Sequence, residues 1–525
     1  MKATLLIFSL LITRIYAYSQ ALNIIPYPKS VQMIKGNFAA RTNIELVADK
    51  KEFQYLLAYF NQQLNKNYGS SKKQKQSIKL NKSKAVGKAG AYVLRTDTQP
   101  IQISAADNEG LFNGLSTLLQ LYLTAKPTKN TIKVPKLIIN DEPQFEWRGF
   151  MLDESRHFFG IKTVKKLLDW MAFYKLNKFH WHLTDANGWR LEIKKYPLLT
   201  SIGGIGNFTD STASAKYYTQ TEIKEIVAYA STRNISIIPE IDMPGHASAA
   251  NRAYPEFSGG KISENPDFTF DPAYDGTYAY LSNILTEVAD LFPSKMVHLG
   301  GDEVTLGIDA WKTNPRIQNM MKEKNIGEFS ELEHYFLKRM TDSASKKGLQ
   351  VICWDEAVAA NLSSKKTYIQ WWRHNKPNSL NEALQKGYKV ILSPRLPLYF
   401  DFVQDKQHQS GRKWGELYNS YLDLYHYPGA GTEQNQQAIL GIQANLWTET
   451  IASGQRLEFL IFPRIASLSE SGWTSPKLKN DGDFNQRVRL HLTLYQKEGI
   501  YFYNPFAPAT TPEKVDFMKK KEIVD

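Results

Sequence analysis

From residue 147 onward, the sequence alternates between short apolar runs and helical patterns, and this alternation restricts the folds open to the chain. The runs occupy residues 147–155, 178–185, 235–243, 295–303, 350–356, 367–372, 389–393 and 439–447. Strands that alternate with helices are joined by crossovers, so we expect them to be parallel. Eight such strands fit a (β/α)8 TIM barrel with insertions. An open doubly wound sheet is the alternative, but no Gly-rich dinucleotide loop opens a helix here.

The segments between these runs have the period of amphipathic helices. Apolar residues recur at i, i+3, i+4 and i+7 within residues 164–171 and again within residues 223–230. Thr219 and Glu222 stand three residues apart before the second set, which predicts a capping box at the start of that helix. The pattern therefore predicts an α/β domain built on a barrel.

The preceding region, residues 21–142, has a different texture. Short alternating runs such as 101–105 mix with helical patterns such as 111–123, which predicts a smaller α/β domain. We place the barrel domain at 143–505 and a C-terminal tail at 506–525. The densest basic stretch of a chain with formal net charge +13 lies at 72–88, and we interpret it as a solvated loop. Because the other basic residues are spread along the chain, we expect no nucleic-acid partner.

Residues 1–20 have the pattern of a secretory signal peptide. Lys2 precedes an apolar run at 3–12, and small residues follow between Ala17 and Ser19. We therefore expect an exported protein, periplasmic or secreted. No other run is long and apolar enough to cross a membrane, so we expect no membrane anchor. Cys353 is the single cysteine, which excludes an intrachain disulfide, and its apolar neighbours predict burial.

Polar and aromatic residues gather where the predicted barrel strands end. They occupy residues 153–157, 180–185, 240–246, 298–303, 354–356, 370–372, 399–401 and 445–449. A buried strand that ends in charged residues is costly unless those charges are paired or used. In a barrel of parallel strands, the carboxyl ends form the active face. Eight such endings therefore predict a pocket.

The residue types of this pocket favour a carbohydrate. Tryptophan faces stack on sugar rings, and carboxylates and arginine bind hydroxyl groups. Glycoside cleavage needs a carboxylic acid and normally a second carboxylate as nucleophile or base. Asp302 and Glu303 are adjacent, however, and neighbours on a strand point to opposite faces. Such a pair is better explained if the nucleophile comes from the substrate and one carboxylate orients it.

The run Gly300-Gly301-Asp302-Glu303, preceded by His298, resembles the Asp–Glu signature of the β-N-acetylhexosaminidases of glycoside hydrolase family 20. Further motifs match in the same order, at Trp147-Arg148-Gly149, Asp153-Glu154-Ser155-Arg156-His157, His180-Trp181-His182-Leu183-Thr184-Asp185, Pro244-Gly245-His246, Trp354, Gln370-x-Trp372, Tyr399-x-Asp401 and Trp447-x-Glu449. The resemblance covers about residues 147–473. The region before it looks like the small α/β domain that commonly precedes this barrel.

The resemblance implies retaining, substrate-assisted hydrolysis without a cofactor or metal. Glu303 would be the general acid and then the base for water. Asp302 would orient and stabilise the substrate's 2-acetamido group, whose carbonyl oxygen attacks the anomeric carbon. Tyr399 would donate a hydrogen bond to that oxygen. An enzyme of this kind would be exo-acting on terminal GlcNAc or GalNAc of glycans or chitooligosaccharides.

The resemblance also assigns sugar-binding residues around this centre. Trp354, Trp372 and Trp447 would form the walls, and the choice of Trp372 over its neighbour Trp371 rests on the Gln-x-Trp spacing. Arg156 would hold the 3- and 4-hydroxyls. Asp185 and His246 would support the site. Asp401 and Glu449 would bind the outer hydroxyls. Asp401, at the 6-position, should disfavour a 6-sulfated sugar.

Two other functions stay open at this point. His180-x-His182, with His246 and His298, superficially resembles the zinc site of a barrel amidohydrolase. A non-catalytic sugar-binding protein on the same scaffold is the other alternative, and the presence of both Asp302 and Glu303 argues against it. The sequence does not distinguish GlcNAc from GalNAc, monosaccharide from disaccharide release, or one oligomeric state from another.

Overall fold

A computed structural model of the chain describes residues 22–69, 74–125, 127–129, 131–261, 266–429 and 437–516. The N-terminal domain is built on a seven-stranded mixed sheet in the order β1-β7-β4-β5-β3-β2, with β6 paired to β7. Its strands are β1 (Ser30–Arg41), β2 (Ile44–Ala48), β3 (Gln74–Lys82), β4 (Tyr92–Arg95), β5 (Ile101–Ala105), β6 (Pro127–Thr128) and β7 (Thr131–Asp141). Its helices are α1 (Leu57–Tyr68) and α2 (Asn108–Thr124).

The basic stretch at 72–88 corrects one sequence expectation. Instead of a solvated loop, most of its described part forms β3, which lies inside the sheet between β2 and β5. Ile78 and Leu80 are buried, whereas Lys75 and Lys79 alternate with them and are exposed. The interpretation was wrong because two apolar residues at the period of a strand suffice when neighbouring strands supply the rest of the core.

The second domain is a closed barrel of eight parallel strands in which β17 pairs with β8, and this confirms the predicted TIM barrel. Each strand begins within one of the apolar runs. They are β8 (Trp147–Asp153), β9 (Lys178–His182), β12 (Ser236–Glu240), β13 (Met296–His298), β14 (Gln350–Trp354), β15 (Thr367–Trp371), β16 (Lys389–Leu392) and β17 (Ile439–Leu446). A hairpin of β10 (Thr184–Asp185) and β11 (Gly188–Trp189) follows β9.

Helices surround the barrel, and the predicted period and capping box are both confirmed. The apolar positions of 164–171 are buried on α3, and Thr219 and Glu222 exchange the expected hydrogen bonds at the start of α5. The helices are α3 (Ile161–Phe173), α4 (Leu198–Ser201), α5 (Gln220–Ser231), α6 (Ser248–Ala253), α7 (Asp275–Leu291), α8 (Ile308–Thr313), α9 (Pro315–Glu323), α10 (Phe329–Lys346), α11 (Pro377–Gln385), α12 (Arg395–Leu398), α13 (Tyr421–His426), α14 (Gly454–Ile461), α15 (Arg464–Trp473) and α16 (Asp481–Lys497).

A buried polar cluster joins the two domains. Lys175, which follows α3, lies with its Nζ 3.3 Å from Asp141 Oδ2 at the end of β7, and both side chains are fully buried. The same ammonium donates to Tyr92 Oη at 3.0 Å and lies over the Trp473 ring. Asp141 also accepts from the Trp473 indole at 2.9 Å. The domains are therefore held in register by specific bonds as well as by apolar contact.

The ends of the chain are described in part. In the segment predicted as a C-terminal tail, Glu513 pairs with Arg456 at 3.0 Å, and Asp516 accepts from Ser453 at the start of α14. The predicted signal peptide lies outside the described residues. Among the helices of the described ranges, none has the length and apolar character needed to span a bilayer. Cys353 is buried on β14.

Candidate active site

A pocket of about 460 Å³ opens at the carboxyl ends of the barrel strands. Its lining residues are Arg156, His246, Asp302, Glu303, Trp354, Trp372, Tyr399, Arg412, Trp447 and Glu449. Two sequence-predicted residues, Asp185 and Asp401, lie behind this lining and contact Arg156 and Arg412, respectively. The structure therefore brings every candidate residue into one site, either on its wall or directly behind it.

Both members of the Asp302–Glu303 pair face this pocket. Strand β13 ends at His298, and the backbone then turns through Gly300, Gly301 and Glu303, all with positive φ angles of 67°, 87° and 50°. The strict alternation of a strand therefore stops before the pair, and two consecutive carboxylates line the same cavity. Gly300 is required because a Cβ there would lie 1.7 Å from Asp242 Oδ1.

The two carboxyl groups of the pair differ in their electrostatic surroundings. Burial, reinforced by the neighbouring Asp242, raises the pKa of Asp302 well above its usual value. Burial also acts to raise the pKa of Glu303, but its hydrogen bond to His246 and the charges of His246 and two arginines outweigh this, so that the pKa is lowered. Burial raises the pKa of Asp242 itself to about 8. A proton therefore resides on the Asp302–Asp242 side rather than on Glu303.

Asp185 connects Arg156, on the pocket wall, to the Asp302–Glu303 pair through His246. Its Oδ2 lies 2.8 Å from Arg156 Nη1, and its Oδ1 accepts from His246 Nδ1 at 3.1 Å. The other ring nitrogen of His246 lies 3.5 Å from Glu303 and 3.6 Å from Asp302. Both ring nitrogens thus face carboxylates, which raises the pKa of His246 despite its burial. The pocket floor carries paired charges of both signs.

The aromatic wall consists of four rings. Trp372 and Tyr399 are nearly parallel, with ring centroids 6.4 Å apart and an interplanar angle of 14°. The rings of Trp354 and Trp447 are tilted by 42° to each other, with centroids 6.0 Å apart. Trp371 instead belongs to the main apolar core. Of the two neighbouring tryptophans, the one at the Gln-x-Trp spacing, Trp372, therefore lies on the pocket wall. Such a wall matches the flat apolar face of a sugar ring.

Arg412 is a pocket residue that the sequence analysis missed. Its guanidinium lies 3.2 Å from Asp401 and 2.8 Å from Glu449, the two residues expected to bind outer hydroxyls. The like-charge repulsion expected between Asp401 and a 6-sulfate is therefore partly offset by this arginine. It comes from an irregular segment between β16 and β17, where no periodicity signals a role.

Glu240 is a second residue without an assigned role, although it ends a barrel strand. It is fully buried below the pocket and accepts from the Trp354 indole at 2.9 Å. The rings of His180, His182 and His298 also surround it, at 2.9, 2.5 and 2.9 Å. The signal available in the sequence was a carboxylate at the end of an apolar run.

The histidines of this centre bear on the zinc alternative. Within the described part of the chain, His180, Glu240 and His298 place ligand atoms within 4.8 Å of one another. However, His298 Nδ1 accepts from the Gly300 amide, and Glu240 Oε1 accepts from the Trp354 indole. Of the two remaining clusters, one contains Asp185, which already forms an ion pair with Arg156. The other consists of Asp242, His246 and Asp302. The His180/Glu240/His298 cluster and the cluster that contains Asp185 are thus already bound to N–H donors, which does not fit a zinc ligand set.

Comparisons with known proteins agree with this geometry. The family model described as "Glycosyl hydrolase family 20, catalytic domain" matches residues 145–476, and "Glycosyl hydrolase family 20, domain 2" matches residues 21–142. A β-hexosaminidase of Vibrio furnissii is 34% identical over 481 residues, which cover 86% of this chain and 76% of that protein. A β-hexosaminidase of Porphyromonas gingivalis is also 34% identical, and the match covers 83% of this chain. It covers 58% of that protein, so this chain spans less than two thirds of that relative's length.

Solved structures give the same result. The exo-β-N-acetylglucosaminidase of Vibrio harveyi, in complex with N-acetylglucosamine, superposes with a TM-score of 0.84 at 32% identity, over 93% of this chain and 79% of that chain. A β-N-acetylhexosaminidase of Bacteroides fragilis superposes with a TM-score of 0.79 at 28% identity, over 91% of this chain and 96% of that chain. The barrel, its preceding domain and the Asp–Glu pocket therefore place this chain in glycosyl hydrolase family 20, as a glycosidase of the β-N-acetylhexosaminidase group.

Proposed function

We propose that the protein is an exo-acting, retaining β-N-acetylhexosaminidase that releases terminal GlcNAc or GalNAc from glycans or chitooligosaccharides. The observation that carries this proposal is the placement of Asp302 and Glu303 side by side in a tryptophan-lined pocket. Retaining enzymes with a protein nucleophile use two carboxyl groups about 5–5.5 Å apart that flank the scissile bond. Glu449 is the other carboxylate of the lining, and Arg412 already holds it. Because Asp302 and Glu303 are adjacent and do not flank a sugar from opposite sides, we assign the role of nucleophile to the substrate's 2-acetamido group.

The reaction follows in two steps. Glu303 donates its proton to the glycosidic oxygen while the acetamide oxygen bonds to the anomeric carbon and the leaving group departs. Asp302 accepts a hydrogen bond from the acetamide N–H and stabilises the positive charge of the cyclic intermediate. Glu303 then removes a proton from the water that opens this ring, and the configuration is retained. Tyr399 donates a hydrogen bond from its hydroxyl to the acetamide oxygen and so holds that oxygen in place for attack on the anomeric carbon.

Substrate binding adjusts the protonation of the pair. The Glu303 side chain is 39% exposed, so a bound sugar would cover it and remove its water. This desolvation raises the pKa of Glu303 and favours the acid form that the first step needs. The cationic acetamide of the intermediate, in turn, favours ionised Asp302. A proton thus moves from the Asp302–Asp242 side towards Glu303, which must donate it.

The decisive experiment compares p-nitrophenyl β-N-acetylglucosaminide, β-N-acetylgalactosaminide and β-glucoside, each with and without a chelator. We expect cleavage of acetamido sugars only, unaffected by the chelator. Equal cleavage of the glucoside would show a protein nucleophile. A chelator-sensitive amidase activity would restore the zinc alternative, and saturable sugar binding without turnover would favour the binding-protein alternative.

Substitution of the pair tests the assigned roles. Glu303→Gln should lose most turnover, since general acid catalysis is worth about 10²–10⁴-fold. Asp302→Asn should fall comparably because the acetamide is no longer oriented, and a thiazoline mimic of the cyclised intermediate should inhibit the wild type tightly. Near-full activity of Asp302→Asn would contradict substrate assistance.

We also propose that the protein is exported. Support comes from residues 1–20, where a positive start, an apolar run and small residues follow in the order of a signal peptide. Cell fractionation, with N-terminal sequencing of the exported protein, should find the activity outside the cytoplasm and a start near residue 20. Retention of the full chain in the cytoplasm would contradict export.

A further inference from the structure

A line of alternately charged side chains runs from the barrel interior to the pocket floor. It starts at Glu240 at the end of β12, passes through His182 at the end of β9 and reaches Asp185 on β10. From Asp185 it divides, with Arg156 on one branch and His246 on the other. The pair that performs the chemistry is thus linked to residues that do not line the pocket.

His182 is bonded to a carboxylate at each ring nitrogen. Nδ1 donates to Glu240 Oε2 at 2.5 Å, and Nε2 donates to Asp185 Oδ2 at 2.9 Å. A neutral imidazole carries one N–H, and its other nitrogen would then present a lone pair to a carboxylate. When both carboxyl groups are ionised, the geometry therefore requires the imidazolium form. The remaining groups near the ring are Arg156 at 3.5 Å, His180, Asp242 and the edge of Trp447.

Asp185 receives donors on both oxygens, and this fixes its orientation. Oδ2 accepts from His182 and lies beside the guanidinium of Arg156, while Oδ1 accepts from His246 and from the Ala186 amide. A carboxylate with four donors cannot rotate without losing two of them. Its two branches lead to different tasks, namely sugar binding by Arg156 and support of Glu303 by His246.

Glu240 is held in turn by the barrel. The Trp354 indole donates to its Oε1, and His180 lies 2.9 Å from its Oε2. His180 keeps its proton on Nε2, because its Nδ1 accepts from Gln443, whose amide orientation is set by the Trp147 indole. Glu240 thus has a fixed position and carries the charge that His182 needs.

We propose that Glu240 and His182 are positioning residues for catalysis. They hold Asp185 in the one orientation in which it serves both Arg156 and His246, and so they fix Glu303 relative to the glycosidic oxygen. This inference rests on the proposed function, in which Glu303 is the general acid. Neither residue lines the pocket, so both act only through their neighbours.

The test uses variants that remove one bond of the line at a time. Glu240→Gln removes the anion opposite His182. His182→Gln can keep a donor near the position of Nε2, towards Asp185, whereas His182→Asn can keep one only near Nδ1, towards Glu240. The matched control is Glu154→Gln, another fully buried carboxylate beyond a barrel strand, which bonds to the amides of Phe159 and Gly160 and lies outside the pocket lining.

The readout is kcat/KM for two β-N-acetylglucosaminides with different leaving groups. Phenol needs a proton from Glu303 to leave, whereas p-nitrophenol leaves readily as an anion. For Glu240→Gln and His182→Asn, we expect a loss of about 10²-fold with the phenyl substrate, as for a catalytic group misplaced by about 1 Å, and a loss of about 10-fold or less with the p-nitrophenyl substrate. His182→Gln should retain more activity than His182→Asn, and Glu154→Gln should match the wild type on both substrates.

Two outcomes would overturn the proposal. One is an equal loss on both substrates, which a purely structural defect produces, and the other is unchanged activity in Glu240→Gln. Nitrogen NMR of ¹⁵N-histidine-labelled protein adds a readout independent of turnover. It should show a charged His182 at neutral pH in the wild type and a neutral ring in Glu240→Gln. A neutral His182 in the wild type would refute the line of charges, whereas an inactive wild type with a charged His182 would refute only the proposed function.

Discussion

Gly300 is the residue at which a single methyl group should disturb the Asp302–Glu303 pair without touching it. The backbone there has a φ of 67°, and a Cβ would lie 1.7 Å from Asp242 Oδ1. Contacts of Cβ atoms below 3.0 Å do not occur, so either Asp242 or the turn that carries Asp302 must move by more than 1 Å. Gly300→Ala therefore displaces a carboxylate within the catalytic centre.

Gly301 offers a matched control for this substitution. Its φ of 87° is equally unfavourable to alanine, but a Cβ there would meet only the end of the Leu337 side chain, at 3.3 Å. Both alanine variants bear the left-handed backbone cost of about 1–2 kcal/mol. Gly300→Ala should add about 1–3 kcal/mol for the overlap with Asp242, because a packed neighbour must be displaced.

The two variants should differ more in activity than in stability. A displacement of about 1 Å in a catalytic group costs about 10²-fold, so we expect Gly300→Ala to lose about 10²-fold in kcat/KM on the p-nitrophenyl substrate. Gly301→Ala should stay within about 10-fold of the wild type, since its neighbour can give way. Urea unfolding and steady-state kinetics of the purified variants provide the measurements. Equal activity of the two alanine variants would refute the argument from Asp242.

Three further predictions concern other parts of the molecule. Lys175→Met should lower the free energy of unfolding by about 3 kcal/mol in urea titrations, because it leaves Asp141 buried without its cation, and addition of Asp141→Asn should recover part of this loss. Trp372→Ala should raise KM well above that of Trp371→Ala, and equal KM values would contradict the assigned wall. Burial raises the pKa of Glu154 to about 7, so wild-type stability should fall as pH rises from about 4.5 to 7, and Glu154→Gln should flatten this slope in thermal unfolding.

The barrel could be predicted from the sequence because its strands are buried on both faces. Such strands read as continuous apolar runs, and each run is followed by polar or aromatic residues that mark its end. The strand β3 (Gln74–Lys82) escaped prediction because one of its faces is solvated and carries lysines. In β3, only two buried residues indicate a strand, and the neighbouring strands β2 and β5 provide the rest of the pairing and packing.

The candidate site was predictable in its residue types but not in its pairings. Arg412 lies in an irregular segment, and only the folded chain brings it between Asp401 and Glu449. The turn that directs both members of the Asp302–Glu303 pair to one side depends on Gly300, whose necessity comes from a contact with Asp242, some 60 residues earlier in the chain. Contacts of this range leave no periodic signal in the sequence.

The pairing of charges explains how so many ionisable groups can lie beneath one sugar. An isolated buried charge would cost more than the fold could tolerate, but each carboxylate from Glu240 to Asp185 touches a cation, and His182 and His246 each lie between two carboxylates. Groups fixed in this way need not reorganise when charge develops on the substrate, and such preorganisation is the main source of electrostatic catalysis. The cost of burial is thus met during folding, which is why polar residues could end all eight strands of an otherwise apolar barrel.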